Sequence, residues 1–103
     1  MGNTISTIQI RLGISSTLAD DDEKGNKIFD DVKEKSKECD EVILDFEGIE
    51  LVNTAFLNNA IGKLFDSEQY KLNEHPVKIA NMNSNDMKDL LYESIKAARA
   101  KYQ

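Results

Sequence analysis

From Glu41 to Leu57 the chain reads Glu-Val-Ile-Leu-Asp-Phe-Glu-Gly-Ile-Glu-Leu-Val-Asn-Thr-Ala-Phe-Leu, and its polar and apolar positions change period twice. The unbroken run Val42-Ile43-Leu44 predicts a strand over Glu41 to Phe46, buried on both faces as in a parallel sheet covered by helices. It stops at acidic residues and Gly48, a tight loop. A second apolar pair, Leu51 and Val52, leads to Asn53-Thr54. From there Leu57, Ala60, Ile61, Leu64 and Phe65 recur at helical spacing, which predicts a helix from about Thr54 to Asp66. Gly62 inside that helix suits close packing on a strand.

The flanking segments follow the same two periods. Thr4 to Ile10 alternates, and Ile8, Ile10, Leu12 and Ile14 prolong the period of two, so a half-buried strand is expected, ended or turned into a short hairpin at Gly13. Ser15 to Lys24 reads as loop leading into a helix. That helix, about Asp22 to Glu38, carries Ile28, Phe29 and Val32 on one face. Val77 to Ala80 is a further strand. A last helix, about Asp86 to Lys101, has Met87, Leu90, Leu91, Ile95 and Ala98 in a stripe, with Ser84 or Asn85 favoured as its cap. Strands alternating with helices predict one α/β domain over residues 1–103, with right-handed crossovers between parallel strands and the first strand antiparallel at or near an edge.

Composition narrows the function classes. With 103 residues, 40% hydrophobic and 31% charged, the chain matches a soluble globular domain. The net charge of -6 and the block Asp20-Asp21-Asp22-Glu23 argue against nucleic acid and anionic membranes, and no apolar run suits membrane insertion. The acidic block itself is expected to be a solvated loop or helix start. The N-terminus lacks a signal-peptide pattern, and Met1-Gly2 with Ser6 matches the myristoylation pattern only superficially, so a cytoplasmic location is expected. Cys39, the single cysteine, sits among acids and reads as an inert thiol. His75, before Pro76 in a polar turn, reads as a loop residue. No cofactor motif is present and no enzyme is expected. Asp45 and Glu47 lie where α/β folds place ligands, but a receiver-type acid pair and late lysine are missing.

The segment Leu44-Asp45-Phe46-Glu47-Gly48-Ile49-Glu50-Leu51-Val52-Asn53-Thr54-Ala55-Phe56-Leu57 resembles the signature of STAS domains, the anti-sigma factor antagonists and cytoplasmic domains of sulphate transporters. With Ile61-Gly62 it is similar to a STAS-like group of small uncharacterised bacterial proteins, often encoded beside, or fused to, histidine-kinase-type ATPase domains. The resemblance implies a STAS-like fold: a mixed sheet of four or five strands with a mostly parallel core, and three to four helices mainly on one face. It also implies a regulatory protein-binding module whose partner is a protein, such as a histidine-kinase-type ATPase that phosphorylates Thr54. Asn53 stands where the family often has Asp, which removes a charge beside the acceptor. The candidate partner-binding residues are Asp45, Glu47, Asn53, Thr54 and Asn58, on a monomer or weak homodimer.

Physically, two readings of Asn53-Thr54 stay open. Either residue can cap the helix, satisfying one of the orphan N–H groups of its first turn for about 1 kcal/mol. Alternatively, Thr54 is also a switch, because a phosphate would add about -1.5 to -2 charge to a patch that already contains Asp45, Glu47 and Glu50. If Thr54 is only a cap, the chain is a structural or assembly module, homo-oligomeric in the extreme.

Overall fold

The computed structural model describes residues 4–102. Met1 and Gly2, on which the myristoylation pattern rests, lie outside the described residues. The elements are β1 (Ile5–Gln9), α1 (Ile10–Ile14), β2 (Leu18–Ala19), α2 (Asp22–Ser36), β3 (Glu41–Asp45), β4 (Leu51–Val52), α3 (Thr54–Ala60), a 3-10 turn (Gly62–Phe65), β5 (Val77–Ala80) and α4 (Asn85–Tyr102). β3 lies between β1 and β5 and pairs with both in parallel, while β2 and β4 make a separate two-stranded parallel pair. The expected single sheet of four or five strands is therefore corrected to three strands plus two. β1 does occupy an edge, but parallel rather than antiparallel.

Register explains where the core sits. Ser6 is level with Val42 and Val77, and Ile8 with Leu44 and Ile79, so these residues share one face. Val42 and Leu44 are fully buried there, whereas Thr7 and Lys78, level with half-buried Ile43 on the other face, are exposed. β3 is thus covered on one face, not both. An apolar run cannot distinguish the two cases, because Ile43 supplies a hydrophobic side chain without a helix to cover it. Beneath the covered face, Phe46 and Phe56 meet edge to face at 6.4 Å, joined by Ile28, Val32, Leu57 and Leu64.

Three elements depart from the periodicity for local reasons. The alternation does not continue past Gln9. Ile10 and Ile14 are also four residues apart, and the chain turns them inward as the helix α1, leaving Leu12 62% exposed. Gly13 makes no hairpin; a Cβ there would come within 2.9 Å of Ile28 Cδ1, so the missing side chain lets α1 press on α2. The helix expected to reach Asp66 ends at Ala60 and tightens into the 3-10 turn. Gly62 then faces α4, where its Cβ position is 3.6 Å from Ala98 Cβ, rather than a strand.

The helix starts follow their caps. Asp21 Oδ1 accepts from Lys24 N–H at 2.8 Å and opens α2, and Ser84 Oγ accepts from Met87 N–H at 3.3 Å at the head of α4. Cys39 is buried with its thiol on the Lys35 carbonyl, and His75 Nδ1 lies 3.1 Å from the Cys39 carbonyl oxygen, joining a loop to the strand start. Among the described residues no helix is long and apolar enough to cross a membrane.

Candidate functional site

The loop leaving β3 is built by one carboxylate and one glycine. Asp45 Oδ1 accepts from Glu47 N–H at 2.9 Å and from Asn81 Nδ2 at 2.8 Å, which closes the turn and ties it to the end of β5. Ile49 N–H then bonds the Phe46 carbonyl, and Gly48 sits at φ +84 in that turn. A side chain there would be strained, and it would also meet Arg11, whose Nε is 2.9 Å from the Cβ position. Asp45 is therefore half-buried and engaged in holding the loop. Glu47 is exposed on the turn.

The chain next runs against β2. Glu50 N–H bonds the Thr17 carbonyl and Asn53 N–H the Ala19 carbonyl, on either side of the Leu18–Leu51 and Ala19–Val52 pairs. Ala19 and Val52 point inward; Leu18 and Leu51, side by side, stay 42% and 46% exposed. This apolar pair stands two residues before Asn53. The sequence marks Leu51 only as one of an apolar pair leading to Asn53, and nothing local in it announces the partner Leu18.

The cap of α3 belongs to Asn53. Its Oδ1 accepts from Phe56 N–H at 2.9 Å, and its Nδ2 donates to the Asp20 carbonyl at 2.8 Å. Thr54 is the first helical residue and is exposed, with Asn58 exposed one turn further along the same face. The reading in which Thr54 serves as the cap is thus corrected. An amide fills the role because it can both accept from the helix and donate across to Asp20, which a hydroxyl on the helix itself is not placed to do. Asn53, Thr54 and Asn58 come together; Asp45 is committed instead to Asn81. Asn58 also borders a small crevice against Lys101 and Tyr102 at the end of α4.

The acidic block expected as a solvated loop or helix start opens α2, and it also abuts α3. Besides the Asp20–Asn53 bond, Asn59 Nδ2 donates to Asp22 Oδ1 at 2.9 Å. Gly25 makes this approach possible, since its Cβ position is 2.6 Å from the Phe56 carbonyl oxygen. Lys24 is the cation within the block. Its Nζ reaches Asp20 Oδ1 at 2.9 Å and the Leu18 carbonyl, and the Asp20 hydrogen bond, with the charges of Asp20 and Asp21, holds it above the ordinary lysine value. Thr54 therefore opens a helix whose neighbours carry negative charge. Among the described residues no three His, Cys, Asp or Glu side chains gather as a metal site.

Comparison with known proteins agrees with this architecture. Residues 24–87 of the 103 match the model of a family described as a STAS-like domain of unknown function. No curated protein and no solved structure matches the chain.

Proposed function

The chain belongs to this family of STAS-like domains of unknown function, and from that premise we propose that it is a non-enzymatic regulatory module that binds a protein partner through the surface around Thr54. One observation carries the reading: Thr54 is exposed at the start of α3 while Asn53 does the capping. The threonine hydroxyl is then free of the helix's own needs and open to a kinase. The docking surface joins it to the exposed Leu18–Leu51 pair and to Asn58, an apolar centre beside polar groups, which is the usual make-up of a binding patch.

In this reading a histidine-kinase-type ATPase is both partner and kinase. Transfer of the γ-phosphoryl group of ATP to Thr54 Oγ1 forms a phosphoester and releases ADP and the hydroxyl proton. The new charge lies near the acidic block, whose cation Lys24 is already engaged by Asp20, and a partner surface fitted to the neutral patch rejects it. Binding is lost without refolding, because the cap does not involve the modified atom.

The test pairs affinity with stability. Thr54→Glu is expected to weaken partner binding about tenfold or more, a loss of ~1.4 kcal/mol, while thermal unfolding stays at the wild-type temperature. Unchanged affinity removes the switch from Thr54.

A further inference from the structure

Parallel pairing leaves β1 with one satisfied edge and one open edge. The Thr4 carbonyl accepts from Glu41 N–H, so the even-numbered residues of β1 turn their backbone toward β3. The N–H and C=O groups of Ile5, Thr7 and Gln9 then point away from the sheet. Among the described residues no strand pairs with them.

Proteins usually guard such an edge with charge, proline or a bulge. The opposite edge strand, β5, carries such a charge in exposed Lys78. β1 has none of these devices. Thr4 to Ile10 carries no charged residue in a chain of net charge -6, the register with β3 is unbroken over five residues, and Ile5 is 57% exposed. Beside the edge lies a groove between β1, Leu12 and α2, rimmed by Asp31, Glu34 and Lys35.

We infer that this edge pairs antiparallel with β1 of a second copy of the chain, about a two-fold axis at Thr7, to give one continuous six-stranded sheet. The register follows from the open groups. Ile5 faces Gln9 of the copy, Thr7 faces Thr7, and Gln9 faces Ile5, each a pair that exchanges both backbone hydrogen bonds. Facing threonines are a favourable cross-strand pair. The same register sets Ile8 beside Ser6 of the copy on the helix-covered face, so apolar and open faces stay matched.

Charge selects a second copy as the occupant. This strand is uncharged in a chain of net charge -6, so two copies meet here with little repulsion. The two-fold also runs α2 antiparallel to its copy on the same side of the sheet. Lys35 of each is thereby brought toward the Asp31 and Glu34 carboxylates of the other, across the two grooves. Such an interface is isologous and closes at two copies.

Sedimentation equilibrium of the wild-type chain, from micromolar to millimolar concentration, is expected to show a monomer–dimer equilibrium. Thr7→Pro removes an N–H that the intrachain ladder does not use, and Thr7→Lys places like charges together on the axis. Each is expected to raise the dimer dissociation constant about tenfold or more while circular dichroism stays native. Should Thr7→Pro unfold, Thr7→Lys carries the comparison, since that side chain is exposed on the open face. Register is read by oxidation: Thr7→Cys crosslinks to itself, whereas Ile5→Cys crosslinks when mixed with Gln9→Cys but not alone. A wild-type monomer at every concentration overturns the inference, as does a dimer indifferent to both Thr7 variants or crosslinked in another register. Binding of an extended peptide to β1 of a strictly monomeric protein would assign the edge to a different occupant and overturn it equally.

Discussion

Asn53 and Thr54 are adjacent, small and polar, yet the fold gives them separate work. Asn53 holds the Phe56 N–H and the Asp20 carbonyl at once, so Asn53→Ala is expected to cost about 1–2 kcal/mol in urea unfolding. Thr54→Ala, at an exposed position that caps nothing, should stay within about 0.5 kcal/mol of wild type. Equal losses would mean that the hydroxyl shares the cap. A sequence cannot separate these residues, because both are good capping types and the deciding partner, Asp20, lies 33 positions away. Tyr70 shows a different residue-scale effect. Its ring is buried and its hydroxyl donates to the His75 carbonyl at 2.8 Å. Burial raises its pKa above the ordinary 10.0. The unfolded chain therefore ionises first, and the stability this group contributes is complete below about pH 10 and lost as pH rises through the folded value. Tyr70→Phe should be less stable than wild type by about 1 kcal/mol at neutral pH, with the gap closing in urea midpoints taken above pH 10. A gap that is constant with pH would contradict this.

At the scale of elements, the contact between α2 and α3 sets the site's position, and Gly25 is its closest point. Gly→Ala within an exposed helix normally gains about 0.5–1 kcal/mol. Here a Cβ would fall 2.6 Å from the Phe56 carbonyl and 2.8 Å from Asn59 Cβ. Gly25→Ala should therefore destabilise by about 1–3 kcal/mol in thermal or urea unfolding and loosen the acidic block from α3; a stabilised variant would show that the helices do not meet so closely. The sequence shows at Gly25 only a glycine that weakens the first turn of a helix. It was clearer elsewhere: α2, β3, β5 and α4 fall close to their expected ranges because each has one strong period. Ile10 to Ile14 was ambiguous, since apolar residues there fit spacings of both two and four. β2 and β4 were hidden for another reason. Two residues carry no period, and their pairing is a long-range event.

For the molecule as a whole, alternation of strand and helix was enough to reveal an α/β fold with parallel strands, and the resemblance of the motif from Leu44 to Leu57 pointed to its STAS-like family. The number of strands per sheet was not legible, because it depends on which short segments find each other. Nor was the open sheet face, which hydrophobicity alone conceals at Ile43. The candidate site was read in part. Thr54 and Asn58 are presented together, whereas the Leu18–Leu51 pair and the nearness of the acidic block emerge only once β2 and α2 are folded against α3. On this account the acidic surface has a role in signalling. It makes a phosphate on Thr54 costly to meet, so a single modification is enough to end a contact.

The most direct test is to incubate the chain and its Thr54→Val variant with ATP and a purified histidine-kinase-type ATPase, the class of partner proposed, then locate phosphate by fragment mass spectrometry. The account predicts one phosphate, on Thr54, absent from the variant and accompanied by loss of binding to that ATPase. An unmodified chain, or phosphate on any other residue, would contradict it.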